Sequence, residues 1–466
     1  MSMAVLRDSK PYAAAASIVR TLQDQGHVAY FAGGCVRDAL REIPPKDIDI
    51  ATGAHPEEVQ RLFRKTIPVG VQFGVVRVLE REMEFEVATF RCDGVYLDGR
   101  HPSNVQFATP EQDAVRRDFT VNGMFYDPLT EQVIDYVSGR EDLARRVIRA
   151  IGVPAERIAE DRLRMLRAIR FATTLEFEIE PDTWSAIHEV AKEILVVSPE
   201  RIRDELLKIL TSSNRLRGFD LLDQSGLLAV ILPEVEALKG CEQPERFHPE
   251  GDVFVHTRLM LRLMEPDATG EQALAVLLHD VGKPPTQTFD AIDDRIRFNG
   301  HDRVGAAMAE EIMTRLRFSR TETDAVVDAI RNHMVFKDVQ QMRPAKLRRF
   351  MARSNFGIEL ELHRVDCAGS HGDLENYQFL VDKAVEFANE PLIPPPLVRG
   401  DDLIAMGLKQ GPRIGVLLEA VQTAQLDGEI KTRKEALQLV KTLEPSLSGD
   451  DSPKEIHHRG TKESEK

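Results

Sequence analysis

Residues 33 to 52, GGCVRDALREIPPKDIDIAT, decide how the first part of this 466-residue chain folds. The YFA run just before them, at 30–32, is apolar and strand-forming. Gly33 and Gly34 end it in a turn whose bare backbone can approach a phosphate, and Arg37 and Asp38 open the helix that follows. In DIDIAT the side chains of an extended chain alternate, so Asp47 and Asp49 project from one face while Ile48 and Ile50 enter the core behind them. Two carboxylates side by side repel each other unless a cation neutralises them, and hard Mg2+ favours carboxylate oxygens together with substrate phosphates. A pair of such ions would activate an attacking hydroxyl and stabilise a leaving pyrophosphate.

Singly, GG before a helix is an ordinary tight turn, and an acidic pair on a strand is an ordinary solvated face. Strand, GG, basic helix residue and acidic pair on the next strand, in that order, form the arrangement that a polymerase-type nucleotidyltransferase needs. Working outward, the runs VGVQFGVVRVLE (69–80), FEVATF (85–90) and QVIDYV (132–137) add further strands, so residues 1–144 read as an α+β head. A third carboxylate would complete a metal cage. Glu80, Glu82, Glu84 and Glu86 alternate with other residues on a later strand, and alternation alone does not choose among them.

Beyond the head the periodicity is helical, with spacings of three and four such as Leu163, Leu166, Ile169 and Leu206, Ile209. We expect an all-α neck over 145–215, a helical body over 216–390 and a helical tail over 391–445, the proline cluster at 391 and 394–396 acting as a stiff connector. Residues 446–466 are polar, charged and aperiodic, and read as disordered. Residues 160–171 read as one helix on which Asp161, Arg164, Arg167 and Arg170 recur every three positions and form a polar stripe. On periodicity alone that stripe is a solvated face. In the body, LLHDVGKPP places His279 and Asp280 at the end of an apolar helix, with His256, His301, His333 and Asp366 as further members of a second ligand set, suited to a divalent transition metal.

The formal charge of −15 argues against a protein that coats nucleic acid non-specifically. Local charge differs: Arg140 to Arg170 hold nine arginines against five acids, and Arg343 to Arg353 hold five basic residues and no acid. Such a run is as readily a solvated helix face as a nucleic-acid surface. No run approaches the ~18 apolar residues of a spanning helix, so no membrane is expected. The N-terminus reads as a first helix rather than a signal peptide, and the four scattered cysteines suit a reducing compartment, so a cytoplasmic location is expected.

GGCVRDALREIPPKDIDIAT closely resembles the signature of the tRNA nucleotidyltransferase and poly(A) polymerase family, in its eubacterial CCA-adding branch. Further motifs of that family follow in order: EVATFR at 86–91, DGVYLDGRHP at 93–102, RRDFTVNGM at 116–124, EDRLRMLRAIRF at 160–171 and RIRDELLKIL at 201–210. VRGDDLIAMGLKQGP at 398–412 is similar to the tail of members that carry an HD domain, and the histidine set resembles such a domain. The resemblance implies a polymerase-β-like head, an all-α neck, an HD-type helical body and a tail. It implies Asp47, Asp49 and Glu86 around Mg2+, with Gly34, Arg37 and Arg117 on the nucleotide phosphates. It makes Asp161 and Arg164 a protein template for the incoming base, with Arg167 and Arg170 facing the nucleotide. A carboxylate accepts from the exocyclic amine of C or A, whereas U and G present a carbonyl and leave polar groups unpaired, at about 1–3 kcal/mol each. The implied partners are a tRNA 3′ end, CTP and ATP. The loop at 93–102 resembles one that CC-only members lack. Where family members usually have alanine, this chain has Cys35 and Gly123, small changes that leave those roles intact. Poly(A) polymerase shares the head motifs and is the near alternative. A mainly hydrolytic HD enzyme acting on RNA 3′ ends is the distant one.

Overall fold

A computed structural model of the protein describes residues 3–68, 74–93, 105–244 and 251–444. Most of the loop read at 93–102, residues 69–73 of the VGVQFGVV run and the 446–466 tail lie outside them. The head carries strands β1 (Ala29–Ala32), β2 (Asp49–Thr52), β3 (Thr66–Ile67), β4 (Val75–Glu80), β5 (Met83–Thr89), β6 (Arg91–Asp93), β7 (Val105–Phe107), β8 (Met124–Asp127) and β9 (Gln132–Asp135). Seven form one sheet in the order β3-β4-β5-β2-β1-β8-β9, while β6 and β7 pair separately. Within that sheet β2 and β5 run parallel and the other pairings are antiparallel.

Helices α1 (Ala4–Arg7), α2 (Tyr12–Asp24), α3 (Gly34–Leu40), α4 (Pro56–Leu62), α5 (Pro110–Val115) and α6 (Gly139–Arg145) belong to the head. α2 buries Ala14, Ala15, Ile18, Val19 and Leu22, a three-and-four spacing that lays one face on the sheet. Phe31 and Tyr126 fill the core there, with Tyr12 edge-on to Phe31, while Phe90 and Phe125 pack on the opposite face of the sheet with Ala32, Ala51 and Ala114. α3 stops at Leu40, and Pro44 and Pro45 keep the return to β2 from continuing the helix. Ile48 and Ile50 are buried and Asp47 and Asp49 are exposed, the alternation expected of an extended chain.

The neck follows with α7 (Pro154–Glu160), α8 (Arg164–Leu175), α9 (Pro181–Glu189) and α10 (Pro199–Leu210), α10 packing on α8. The expected single helix over 160–171 is two: α7 ends at Glu160, and Asp161 is extended at φ −147°, ψ 105°. The reason is local. The Asp161 carboxylate accepts from the Leu163 N–H at 3.1 Å, a side-chain turn that competes with helical pairing. Next come α11 (Arg215–Gln224), α12 (Leu227–Ile231), α13 (Pro233–Glu236), α14 (Val253–Leu263) and α15 (Gly270–Leu278). α15 begins in a Thr269/Gln272 capping box and buries Ala273 through Leu278.

The chain forms two compact units, Met1–Arg331 with Val365–Gly372, and Asn332–Arg364 with Asp373–Lys466. The second unit holds one core of Phe336, Val339, Leu347, Phe350, Met351, Leu380 and Phe387, and another built on Leu403, Leu417, Val421, Ala436 and Val440. In the basic run of this unit, Arg348, Arg349 and Arg353 are tied to Glu390, Thr423 and Glu359. Among the described residues no helix is long and apolar enough to cross a membrane.

Candidate active site

Strand register builds the acidic ledge. β1 sets Ala32 opposite Asp49, and β2 sets Ile50 beside Val87 in parallel, so the residues one step earlier, Asp49 and Glu86, lie side by side. Asp47 comes just before the first paired residue of β2. All three line a cleft of about 910 Å3, and of the four alternating glutamates only Glu86 does. Arg77 holds both Glu84 and Glu86 at 3.5 Å. Asp49 opens on the cleft but is crowded by protein on its other sides. That burial first, then the charges of Asp47 and Glu86, push its carboxyl up to about 6, with Arg117 opposing. Three hard oxygen ligands that destabilise one another as anions suit a divalent cation.

Opposite the acids the cleft is lined by arginines, several tied to a carboxylate. Gly33 has φ +73°, a backbone that favours glycine, and a Cβ there would lie 3.1 Å from the Arg117 guanidinium. Asp113, buried, accepts from Arg116 and Arg117 through two N–H groups each and from the Arg91 backbone N–H. Burial would raise its pKa, but the two guanidinium charges outweigh it and leave it below the ordinary value. Arg37 donates to Asn122 at 2.7 Å and to both Asp38 oxygens. Arg167 is bound to Asp118, and Arg170 to buried Glu205 while stacking over Phe171 at 3.8 Å. At Gly123 a Cβ would come within 2.6 Å of the Val137 side chain, so that side chain would have to shift to admit one.

Asp161 and Arg164 line the same cleft, but each is already engaged. Arg201 grips both oxygens of Asp161, at 3.2 and 2.7 Å. Arg164 donates to Glu160 and to the carbonyls of Arg157 at 2.6 Å and Arg116 at 3.2 Å. The predicted residues Gly34, Arg37, Asp47, Asp49, Glu86, Arg117, Asp161, Arg164, Arg167 and Arg170 thus share one cleft. Sequence reading passed over Arg91, Arg116, Asp118, Asn122 and Arg201, which also line it. Each stands inside a motif already singled out, so the signal was present; what was missing was which side chain turns inward.

The second constellation lies in the first unit. α14 brings His256 Nε2 to 3.1 Å from Asp366, and α15 ends on His279, whose Nε2 is 2.9 Å from Asp280. His279 Nδ1 lies 2.9 Å from the Val276 carbonyl, which only accepts, so that nitrogen carries a proton and Nε2 is the atom turned toward Asp280. His301 makes the same kind of bond to Phe298 and directs Nε2 toward Asp280 at 3.7 Å. His256, His279 and Asp280 are buried and offer ligand atoms within 4.8 Å of one another. Lys283 also contacts Asp280, at 2.7 Å, and with His279 it holds that carboxyl well below the usual range against the opposing effect of burial. The further predicted ligand His333 is buried at the head of a 3-10 segment, His333–Gln341.

Comparison with known proteins places these features in a family context. The Poly A polymerase head domain matches residues 29–149, the probable RNA and SrmB-binding site of polymerase A residues 176–239, and the HD domain residues 253–355. The CCA-adding enzyme of Lactobacillus johnsonii is 30% identical over 429 residues, covering 91% of this chain and 96% of its own. That of Streptococcus gordonii is 43% identical over 220 residues, 47% of this chain and 55% of its own, so the chain spans about half of that relative. The crystal structure of the Bacillus stearothermophilus CCA-adding enzyme in complex with CTP superposes with a TM-score of 0.73 at 27% identity, covering 94% of this chain and 99% of that one.

Proposed function

The chain belongs to the family of CCA-adding enzymes, and on that premise we propose that it adds C and A to the 3′ end of tRNA from CTP and ATP without a nucleic-acid template. The observation that carries the reading is one cleft lined by three carboxylates, a set of arginines and an Asp–Arg pair suited to a base edge. The terminal ribose hydroxyl attacks the α-phosphate, forming the new phosphodiester as the bond to pyrophosphate breaks. Asp47, Asp49 and Glu86 would hold Mg2+, which supplies Lewis-acid stabilisation of the phosphoryl oxygens when bound. Arg117, steadied by Asp113, and Arg37 orient the triphosphate beside the Gly33–Gly34 turn. Asp161 accepts from the exocyclic amine of C or A, and Arg164 donates to the neighbouring ring position. Arg167 and Arg170 face the nucleotide.

The test offers purified protein and Mg2+ three tRNA transcripts, ending before CCA, after C and after CC, each with labelled CTP or ATP. Ordered addition of both nucleotides is expected. A single A on the CC-ended transcript alone would make it an A-adding enzyme, long A tracts would favour a poly(A) polymerase, and no addition would overturn the reading. The His279–Asp280 geometry favours a second activity, phosphoester hydrolysis at RNA 3′ ends with a divalent transition metal held by His256, His279, Asp280 and Asp366. Unchanged hydrolysis of a 2′,3′-cyclic nucleotide by the His279→Ala, Asp280→Ala double variant would exclude it.

A further inference from the structure

Asp161 lies in the break between α7 and α8, where no helical ladder dictates the direction of its side chain. Two groups do. Oδ1 accepts from the Leu163 N–H at 3.1 Å and from one Arg201 nitrogen at 3.2 Å, while Oδ2 accepts from the other Arg201 nitrogen at 2.7 Å. Arg201 enters from the first turn of α10, 40 residues along the chain, and both side chains line the cleft.

We propose that Arg201 is a positioning residue for base choice: its fork fixes the plane of the Asp161 carboxylate so that C and A are accepted and U and G refused. The inference rests on the reading of Asp161 and Arg164 as the base-selecting pair. A carboxylate has about four acceptor positions, and three of the bonds just described occupy both on Oδ1 and one on Oδ2. The remaining position on Oδ2 accepts one N–H, which the exocyclic amine of cytosine or adenine provides and the carbonyl of uracil or guanine does not. Arg164 needs no such help, since Glu160 and two backbone carbonyls hold it. Without Arg201 the carboxylate keeps only the Leu163 N–H, turns about its own bonds, and meets carbonyl-bearing bases through water as readily as amines. Discrimination therefore depends on α10 as well as on the motif that contains Asp161.

The experiment measures kcat/KM for ATP, CTP, GTP and UTP on tRNA transcripts in wild type, Arg201→Met, Arg201→Lys and Asp161→Ala, with thermal melts to confirm folding. In Arg201→Met the preference for ATP over GTP and CTP over UTP is expected to fall roughly tenfold, the scale of one poorly made polar contact. Arg201→Lys, which keeps the charge and loses the fork, is expected to lose part of that preference. An equal fall for all four nucleotides in Arg201→Met would reduce Arg201 to a structural strut and overturn the proposal. Should Arg201→Met fail to fold, a folded Arg201→Lys with the full wild-type preference would overturn it instead. Asp161→Ala separates the two levels: if it keeps the wild-type preference, the base-selecting reading itself fails, whereas loss there with retention in Arg201→Met sinks the Arg201 proposal alone.

Discussion

Asp49 carries a cost that a cation relieves, and that cost is visible in pH. Its carboxyl is raised from 3.8 to about 6, so between those values the folded protein binds more protons than the unfolded chain. Stability contributed by this group therefore falls as pH rises through the window, and the penalty is complete above about 6. In EDTA, the melting temperature of wild type relative to Asp49→Asn should drop between pH 4.5 and 7, and Mg2+ should restore it at the upper end. A difference that is flat with pH would contradict the crowding of Asp47, Asp49 and Glu86. The same variant should lose nucleotide addition by roughly a hundredfold to a thousandfold, as loss of one group that supports transition-state charge does.

At the level of elements, the Asp118–Arg167 pair joins the segment after α5 to α8, and so ties the head to the neck. Burial would lift the Asp118 carboxyl, but the Arg167 charge and bonds from Asn122 and the Phe119 N–H bring it down to about 2. Its contribution is present above the ordinary 3.8 and is lost as pH falls toward 2. Asp118→Asn should cost on the order of 3 kcal/mol in urea unfolding at pH 7, because it strands a guanidinium whose partner was buried. That cost should shrink at pH 2.5, and a pH-independent cost would assign the loss to packing instead. The break at Asp161 also belongs to this scale. A spacing of three read as one helix face, whereas a side-chain turn to Leu163 ended one helix and left the next to start at Arg164. Periodicity sees the apolar positions of α8, which continue correctly; it does not see a carboxylate taking a backbone N–H.

For the whole molecule, the carboxylate constellation and the histidine–aspartate constellation are proposed for different chemistry, and the prediction is that they are separable. The His279→Ala, Asp280→Ala variant should lose the rise in melting temperature that Mn2+ or Co2+ gives wild type, expected at roughly 3 kcal/mol or less for metal in hundredfold excess over Kd. Addition of C and A should stay within about twofold, since none of these histidines lines the head cleft. A parallel loss of addition would show that the HD-type site supports the head.

What the amino-acid order determined by itself was chiefly local chemistry and its sequence along the chain. Alternation in DIDIAT aimed Asp47 and Asp49 together, the GG turn favoured glycine, and the change from period two to period three or four marked where head gives way to helices. Resemblance then carried each motif to a role. Alternation left the four glutamates equivalent and resemblance favoured Glu86; the tertiary structure supplied the physical reason. The parallel pairing of β2 with β5 put Glu86 rather than Glu80, Glu82 or Glu84 beside Asp49. Long-range ion pairs chose Asp118 for Arg167 and Arg201 for Asp161, partners 49 and 40 positions apart. The physical reason is that periodicity reports which face a side chain takes, while the partner that neutralises a buried charge comes from whichever element packs there, and that is a property of the assembled core.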